Sequence, residues 1–206
     1  MVGWPDLSEC GRYLFIKPSQ DCKYNMLYFY DLDSAKDGIK TKFDLVPILE
    51  TFEADIDLIT NIGSKCVFHT NKGAEKFKLV SIDLENPSES KWTDLVAETD
   101  AKLEWACGVA GDKLVTCYMQ DVKNTLQLRN LKDGEIIFSF PLDVGAITGF
   151  SGELKHKEMF YKFSSPITPG TMFHVDLTES QPKLKVHIET KLSGFDSSNF
   201  RTEQVL

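Results

Sequence analysis

The chain has 206 residues, 42% of them hydrophobic, and a formal net charge of −8 from 23 Lys and Arg against 31 Asp and Glu. That is ample material for one core. The acidic balance argues against nucleic acid, because a phosphate binder needs a basic surface. No apolar run is long enough to span a bilayer, so a membrane is not an expected partner, and Met1-Val2-Gly3-Trp4-Pro5-Asp6 lacks the features of a signal peptide.

Taken in chain order, the sequence reads as four similar units of four short strands. In the first, the strands are Val2–Trp4, Gly11–Ile16, Leu27–Leu32 and Phe43–Leu49. Pro47 suits an outer, edge strand, where a missing N–H costs little. The second unit offers Ile56–Ile59, Ser64–His69, Leu79–Leu84 and Trp92–Val96. The third offers Leu103–Gly108, Asp112–Cys117, Leu126–Leu131 and Ile136–Phe140, and the fourth Val144–Gly149, Lys157–Tyr161, Met172–Leu177 and Leu184–Ile188. First strands carry small residues, as an innermost, crowded position requires. Turn residues fall between strands at Asp37-Gly38, Asn86-Pro87, Asp133-Gly134 and Pro169-Gly170.

The third strands share a signature. Each alternates and ends in Asp/Asn-Leu, at Asp31-Leu32, Asp83-Leu84, Asn130-Leu131 and Asp176-Leu177, with spacings of 52, 47 and 46 residues. A repeat of that length with several strands per unit marks a β-propeller blade. The expected fold is all-β: a single partial β-propeller of about four four-stranded antiparallel blades. Their boundaries fall near 1–52, 53–99, 100–143 and 144–195, with 196–206 as an exit segment of a loop plus one last strand. Four blades of a larger ring leave apolar flanks exposed, so self-association, partial unfolding or rearrangement toward a closed four-bladed ring is expected.

Chemistry-bearing patterns are sparse. Gly149-Phe150-Ser151-Gly152 lacks the spacing of a nucleophile elbow and reads as a turn between strands. His69, His156, His174 and His187 form no zinc pattern, and no metal or cofactor is expected. No pair of carboxylates can be assigned as acid and base. The five cysteines, Cys10, Cys22, Cys66, Cys107 and Cys117, show no C-x-x-C spacing and read as reduced thiols of a cytoplasmic protein. Cys22 lies in the hairpin Pro18–Tyr24, where a thiol can be exposed; the cysteines in strands read as small hydrophobes.

Several strings resemble the prolyl oligopeptidase (prolyl endopeptidase) family of cytosolic serine peptidases. They are Leu7-Ser8-Glu9-Cys10-Gly11-Arg12-Tyr13, Pro87-Ser88-Glu89-Ser90-Lys91-Trp92, Asp121-Val122-Lys123-Asn124-Thr125-Leu126-Gln127-Leu128 and Pro169–Leu177. The resemblance implies the last four of seven blades in a propeller that covers an α/β-hydrolase domain and admits only short peptides to a buried Ser-Asp-His triad cleaving after proline. The hydrolase domain is the implied partner, short proline-containing peptides are the implied substrate, and no triad residue maps onto this chain, which is expected to be inactive alone. Two positions are implied to line substrate: Val2, where the family has a methionine, and Cys22, which aligns with a family thiol. Ser19 stands where the family has an arginine. The rival reading from another class is a stand-alone, non-catalytic interaction module; a second rival is a related oligopeptidase of different specificity.

Overall fold

The computed structural model describes residues 2–21, 23–35, 38, 42, 44–191, 193–194, 199–200 and 202–203. They form four antiparallel sheets in two compact units, Met1–Thr99 and Asp100–Leu206. The chain is an all-β partial propeller.

The first unit begins with β1 (Val2–Leu7), β2 (Tyr13–Gln20), the two-residue β3 (Tyr24–Asn25), β4 (Leu27–Asp31) and β5 (Val46–Leu49). The sheet runs β1-β2-β4-β5, with β3 paired to the end of β2. Pro47 lies on the edge strand β5, opposite Tyr28, where no ladder bond is lost. The second sheet is β6 (Ile56–Ile62), β7 (Lys65–Thr70), β8 (Lys78–Asp83) and β9 (Thr93–Val96) in sequence order. Strand alternation sends Tyr13, Phe15, Leu27 and Phe29 of the first sheet against Ile56, Cys66, Phe68, Val80 and Ile82 of the second. Phe15 and Phe68 meet edge to face, with ring centroids 5.7 Å apart.

The second unit repeats the plan with β10 (Lys102–Val109), β11 (Lys113–Gln120), β12 (Lys123–Asn130) and β13 (Ile136–Ser139), then β14 (Ala146–Ser151), β15 (Glu158–Ser165), β16 (Thr168–Asp176) and β17 (Lys183–Glu189). Val115, Cys117, Leu126 and Leu128 pack there with Met159, Tyr161, Phe163 and Val175.

The physics of the Asp/Asn-Leu signature is local. The side-chain oxygen of the first residue accepts the N–H two residues on: Asp31 from Asp33 at 3.1 Å, Asp83 from Glu85 at 3.1 Å, Asn130 from Lys132 at 2.9 Å and Asp176 from Thr178 at 2.9 Å. This Asx turn ends the strand. The leucine N–H then donates back across the sheet, from Leu32 to the Arg12 carbonyl, Leu84 to Ser64, Leu131 to Asp112 and Leu177 to Lys157, all at 2.8–2.9 Å. Each blade also carries a register shift where its third strand meets its fourth, at Leu27/Tyr28, Leu79/Val80, Leu128/Arg129 and Met172/Phe173.

Three sequence-based placements are corrected. Pro169-Gly170 is not a turn but part of β16; the turn falls at Pro166-Ile167. Pro169 lies at the irregularity between Phe163 and Ser165, absent from the paired register, and its carbonyl accepts from Ser164 Oγ at 3.2 Å. Gly149, Phe150 and Ser151 likewise belong to β14, paired with Lys162, Tyr161 and Phe160, and the turn comes after them. The fourth strand of the first sheet begins at Val46, with Asp44 and Leu45 outside it, and position 43 lies outside the described residues. Asp37 and most of the exit segment 196–206 lie outside the described residues.

Candidate functional site

The hairpin joining β2 to β3 and β4 builds an open cleft of about 130 Å³ in the first unit. Asp21 turns the chain with a positive φ of 55°, a conformation that Asp tolerates better than most residues. Ser19 pairs with Asn25 and Gln20 with Tyr24, and the Met26 N–H closes on the Pro18 carbonyl at 2.9 Å. On the other side of β2, Trp4 of β1 stands opposite Lys17, and Val2 opposite Ser19.

The cleft is lined by Trp4 and Tyr24 and by Asp55 and Asp57, the two aspartates coming from the approach to β6 and from β6 itself. Trp4 is 62% exposed, an open aromatic face. Lys23 sits over the Tyr24 ring, 4.7 Å from its centroid. Lys17 Nζ is ion-paired with Asp57. Burial pushes the Asp55 carboxyl above its ordinary range, the like charge of Asp57 adds to this, and Lys17 opposes it. The backbone of Asp55 is clamped. Its N–H donates to Asn71 Oδ1 at 2.7 Å, and its carbonyl accepts from Thr70 Oγ1 at 2.6 Å and from Asn71 N–H at 3.2 Å.

Asn25, which also lines the cleft, ties the hairpin to β6. Its Oδ1 accepts from Ile56 N–H at 2.9 Å, and its Nδ2 donates to the carbonyls of Ile56 and Met26, both at 3.0 Å. One buried amide thereby ties the first sheet to the leading strand of the second. Asn124 does the same in the other unit. It accepts from Ile147 N–H at 2.7 Å and donates to the Tyr118 carbonyl at 3.1 Å and Glu104 Oε2 at 2.9 Å. Both asparagines stand six residues before the signature Asp31 or Asn130.

The aromatic faces and charged groups of the cleft are of a kind that contacts a ligand. Ser19 Oγ donates to the Tyr24 carbonyl at 3.3 Å, with no base as its partner in that bond. Among the described residues, no group of three or more His, Cys, Asp or Glu could hold a metal. Of the two lining residues drawn from the resemblance, the Val2 backbone lies in β1 beside the cleft hairpin, and Cys22 lies outside the described residues. Trp4, Lys17, Lys23, Tyr24, Asp55 and Asp57 were missed, because they converge only in three dimensions.

Comparison with known proteins places these features. The family model described as prolyl oligopeptidase, N-terminal beta-propeller domain, matches residues 3–187. A prolyl endopeptidase of Elizabethkingia miricola is 30% identical over 200 residues, which cover 97% of this chain and 26% of that protein. The dual function macrocyclase-peptidase POPB of Amanita bisporigera is 32% identical over 203 residues, covering 97% of this chain and 27% of that one. Among solved structures, apo prolyl oligopeptidase B from Galerina marginata superposes with a TM-score of 0.86 at 28% identity, covering 96% of this chain and 28% of that one. The chain thus spans about a quarter of the length of the curated relatives it matches.

Proposed function

Because this chain belongs to the prolyl oligopeptidase N-terminal β-propeller family, we propose that it serves as the propeller of a cytoplasmic serine endopeptidase that cleaves short peptides after proline. In this reading it gates access to a hydrolase domain. The cleft between Trp4 and Tyr24 contacts the passing peptide, with Val2 and Cys22 as further lining positions.

One observation carries the reading: the superposition on prolyl oligopeptidase B across 96% of the chain. The same relative has been solved with a 35mer hydrolysis and macrocyclization substrate bound, which supports a peptide as the guest. The physical character of the cleft agrees. Exposed aromatic faces and clamped polar groups hold an extended peptide without demanding one sequence.

A proline-containing peptide carrying a benzophenone tests the assignment. Photolysis with the chain should mark the segments around Trp4 and Lys23-Tyr24. Marking spread evenly over the four sheets overturns the cleft as the peptide-facing surface. The chain incubated with a fluorogenic succinyl-Gly-Pro peptide should show no turnover, and phosphonate-sensitive turnover would refute the division of labour.

A further inference from the structure

Outside the cleft, the turn between β1 and β2 exposes Cys10. Its sulfur is ringed by donors. Asn61 Nδ2 lies 3.1 Å from Sγ, and its identity is fixed because it also donates to the Gly63 carbonyl at 2.9 Å. Ser8 Oγ lies 3.3 Å from Sγ. That hydroxyl oxygen already accepts the Tyr13 N–H at 3.0 Å, so its proton is available to the sulfur. The backbone N–H of Arg12 is a third donor. A neutral thiol is a weak acceptor and has little use for three donors, whereas a thiolate does. Burial by itself would raise the Cys10 thiol, but the bonds from Ser8, Arg12 and Asn61 outweigh it and hold the group below its ordinary value.

A second observation points to what the sulfur takes up. Asn61 is only 3% exposed, and its Oδ1 is buried with no hydrogen-bond partner. An amide whose nitrogen touches the sulfur, and whose oxygen is left without a donor, suits a proton-bearing group attached to that sulfur. A sulfenic acid is such a group: its hydroxyl would supply the donor that Oδ1 lacks.

We propose that Cys10 is an oxidation site, converted by hydroperoxides to a sulfenic acid that Asn61 and Ser8 hold in place. The thiolate attacks the terminal peroxide oxygen. An S–O bond forms, the O–O bond breaks, and the leaving alkoxide or hydroxide takes a proton from water. The sulfur loses two electrons and the peroxide gains them.

The surroundings keep this reaction readable. Tyr13 and Cys66, which sense the Cys10 charge, are both pushed up and stay neutral through the pH 5–9 window. The Glu9 carboxylate accepts from Thr60 Oγ1 at 2.9 Å, and the Arg12 guanidinium is engaged by Asp31 and Asp33.

The full chain would be treated with dilute hydrogen peroxide and dimedone, then mapped by mass spectrometry. Iodoacetamide labelling of each cysteine would be followed from pH 5 to 9 in parallel. Cys10 should form the dimedone adduct before Cys66, Cys107 and Cys117, and its alkylation midpoint should lie below that of a free thiol. Asn61→Leu removes one charge-assisted bond, lowering the thiolate population at pH 7 by about tenfold. The more basic thiolate is more nucleophilic, so the rate should fall by about threefold. Should that variant fail to fold, the wild-type pH profile decides alone. A free-thiol midpoint at Cys10, or no adduct there, overturns the proposal.

Discussion

Replacing Asn25 by Ala isolates the bond set that joins the two sheets of the first unit. The substitution deletes one acceptor and one donor, and it leaves the N–H and carbonyl of Ile56 without the amide that served them at 2.9 and 3.0 Å. Ile56 is fully buried and Asn25 is only 5% exposed, so water cannot readily substitute. Each buried backbone group stripped of its partner costs about 1–2 kcal/mol, giving about 2–4 kcal/mol in all. Against the 5–15 kcal/mol that is typical of whole domains, roughly, this is a large fraction. Urea unfolding followed by tryptophan fluorescence should show the midpoint lowered by roughly 1 M. Asn25→Asp sharpens the test. It keeps the shape and the acceptor for Ile56 N–H but turns a second oxygen toward the carbonyls of Ile56 and Met26. The folded state would then favour the protonated acid, raising the carboxyl above its unfolded value. The variant should be closest to wild type at low pH and lose stability as pH rises through the folded pKa. Asn124→Ala should cost a similar amount in the other unit. A loss below about 0.5 kcal/mol at Asn25, the size of an ordinary surface change, would refute the argument that this amide ties the sheets together.

Burial pushes the Cys66 and Cys117 thiols up to about 12, and does the same to the Tyr161 hydroxyl. Groups raised in the folded state stabilise it fully below their unfolded values and lose that contribution as pH climbs toward 12, so resistance to urea should decline from about pH 9 upward; a flat profile between pH 8 and 11 contradicts this. The same two thiols should resist Ellman's reagent at pH 8 until the chain is unfolded. Gly145→Ala would set a methyl against the Ser164 carbonyl and the Phe163 ring, and its own carbonyl anchors the Asn124 N–H at 2.9 Å; a loss of about 1–3 kcal/mol is expected, read from the thermal midpoint. Trp4 and Leu7 on β1, and Val186 and Ile188 on β17, are 52–62% exposed. Being little more than half exposed, each forgoes roughly 1–2 kcal/mol of burial, so light scattering should report concentration-dependent association, and a monodisperse monomer at high concentration would speak against it.

The sequence by itself determined the four-unit repeat and the order of the four main strands in each sheet, whereas the two-residue β3 that adds a fifth strand to the first sheet came only with the fold. It could do so because the signature works over short distances. Asp31 reaches only to the N–H of Asp33, and Leu32 to the strand directly beside it. Alternation along β2 and β4 likewise states which face is buried before any partner is known. The Asn25 and Asn124 ties, by contrast, reach Ile56 and Ile147, 31 and 23 residues away, so the tertiary structure decided them. Where a local rule had two outcomes, the three-dimensional context chose: Pro and Gly at 169–170 fit a turn or an irregular strand start, and pairing with β15 and β17 selected the strand. The cleft and the Cys10 turn are of another kind. Asp55 and Asp57 meet Trp4 and Tyr24 only because Phe15 and Phe68 pack the sheets together. Cys10 gains its donor from Asn61, 51 residues away. Contacts between distant strands leave no period in the sequence, since each residue is chosen for the environment that folding brings to it.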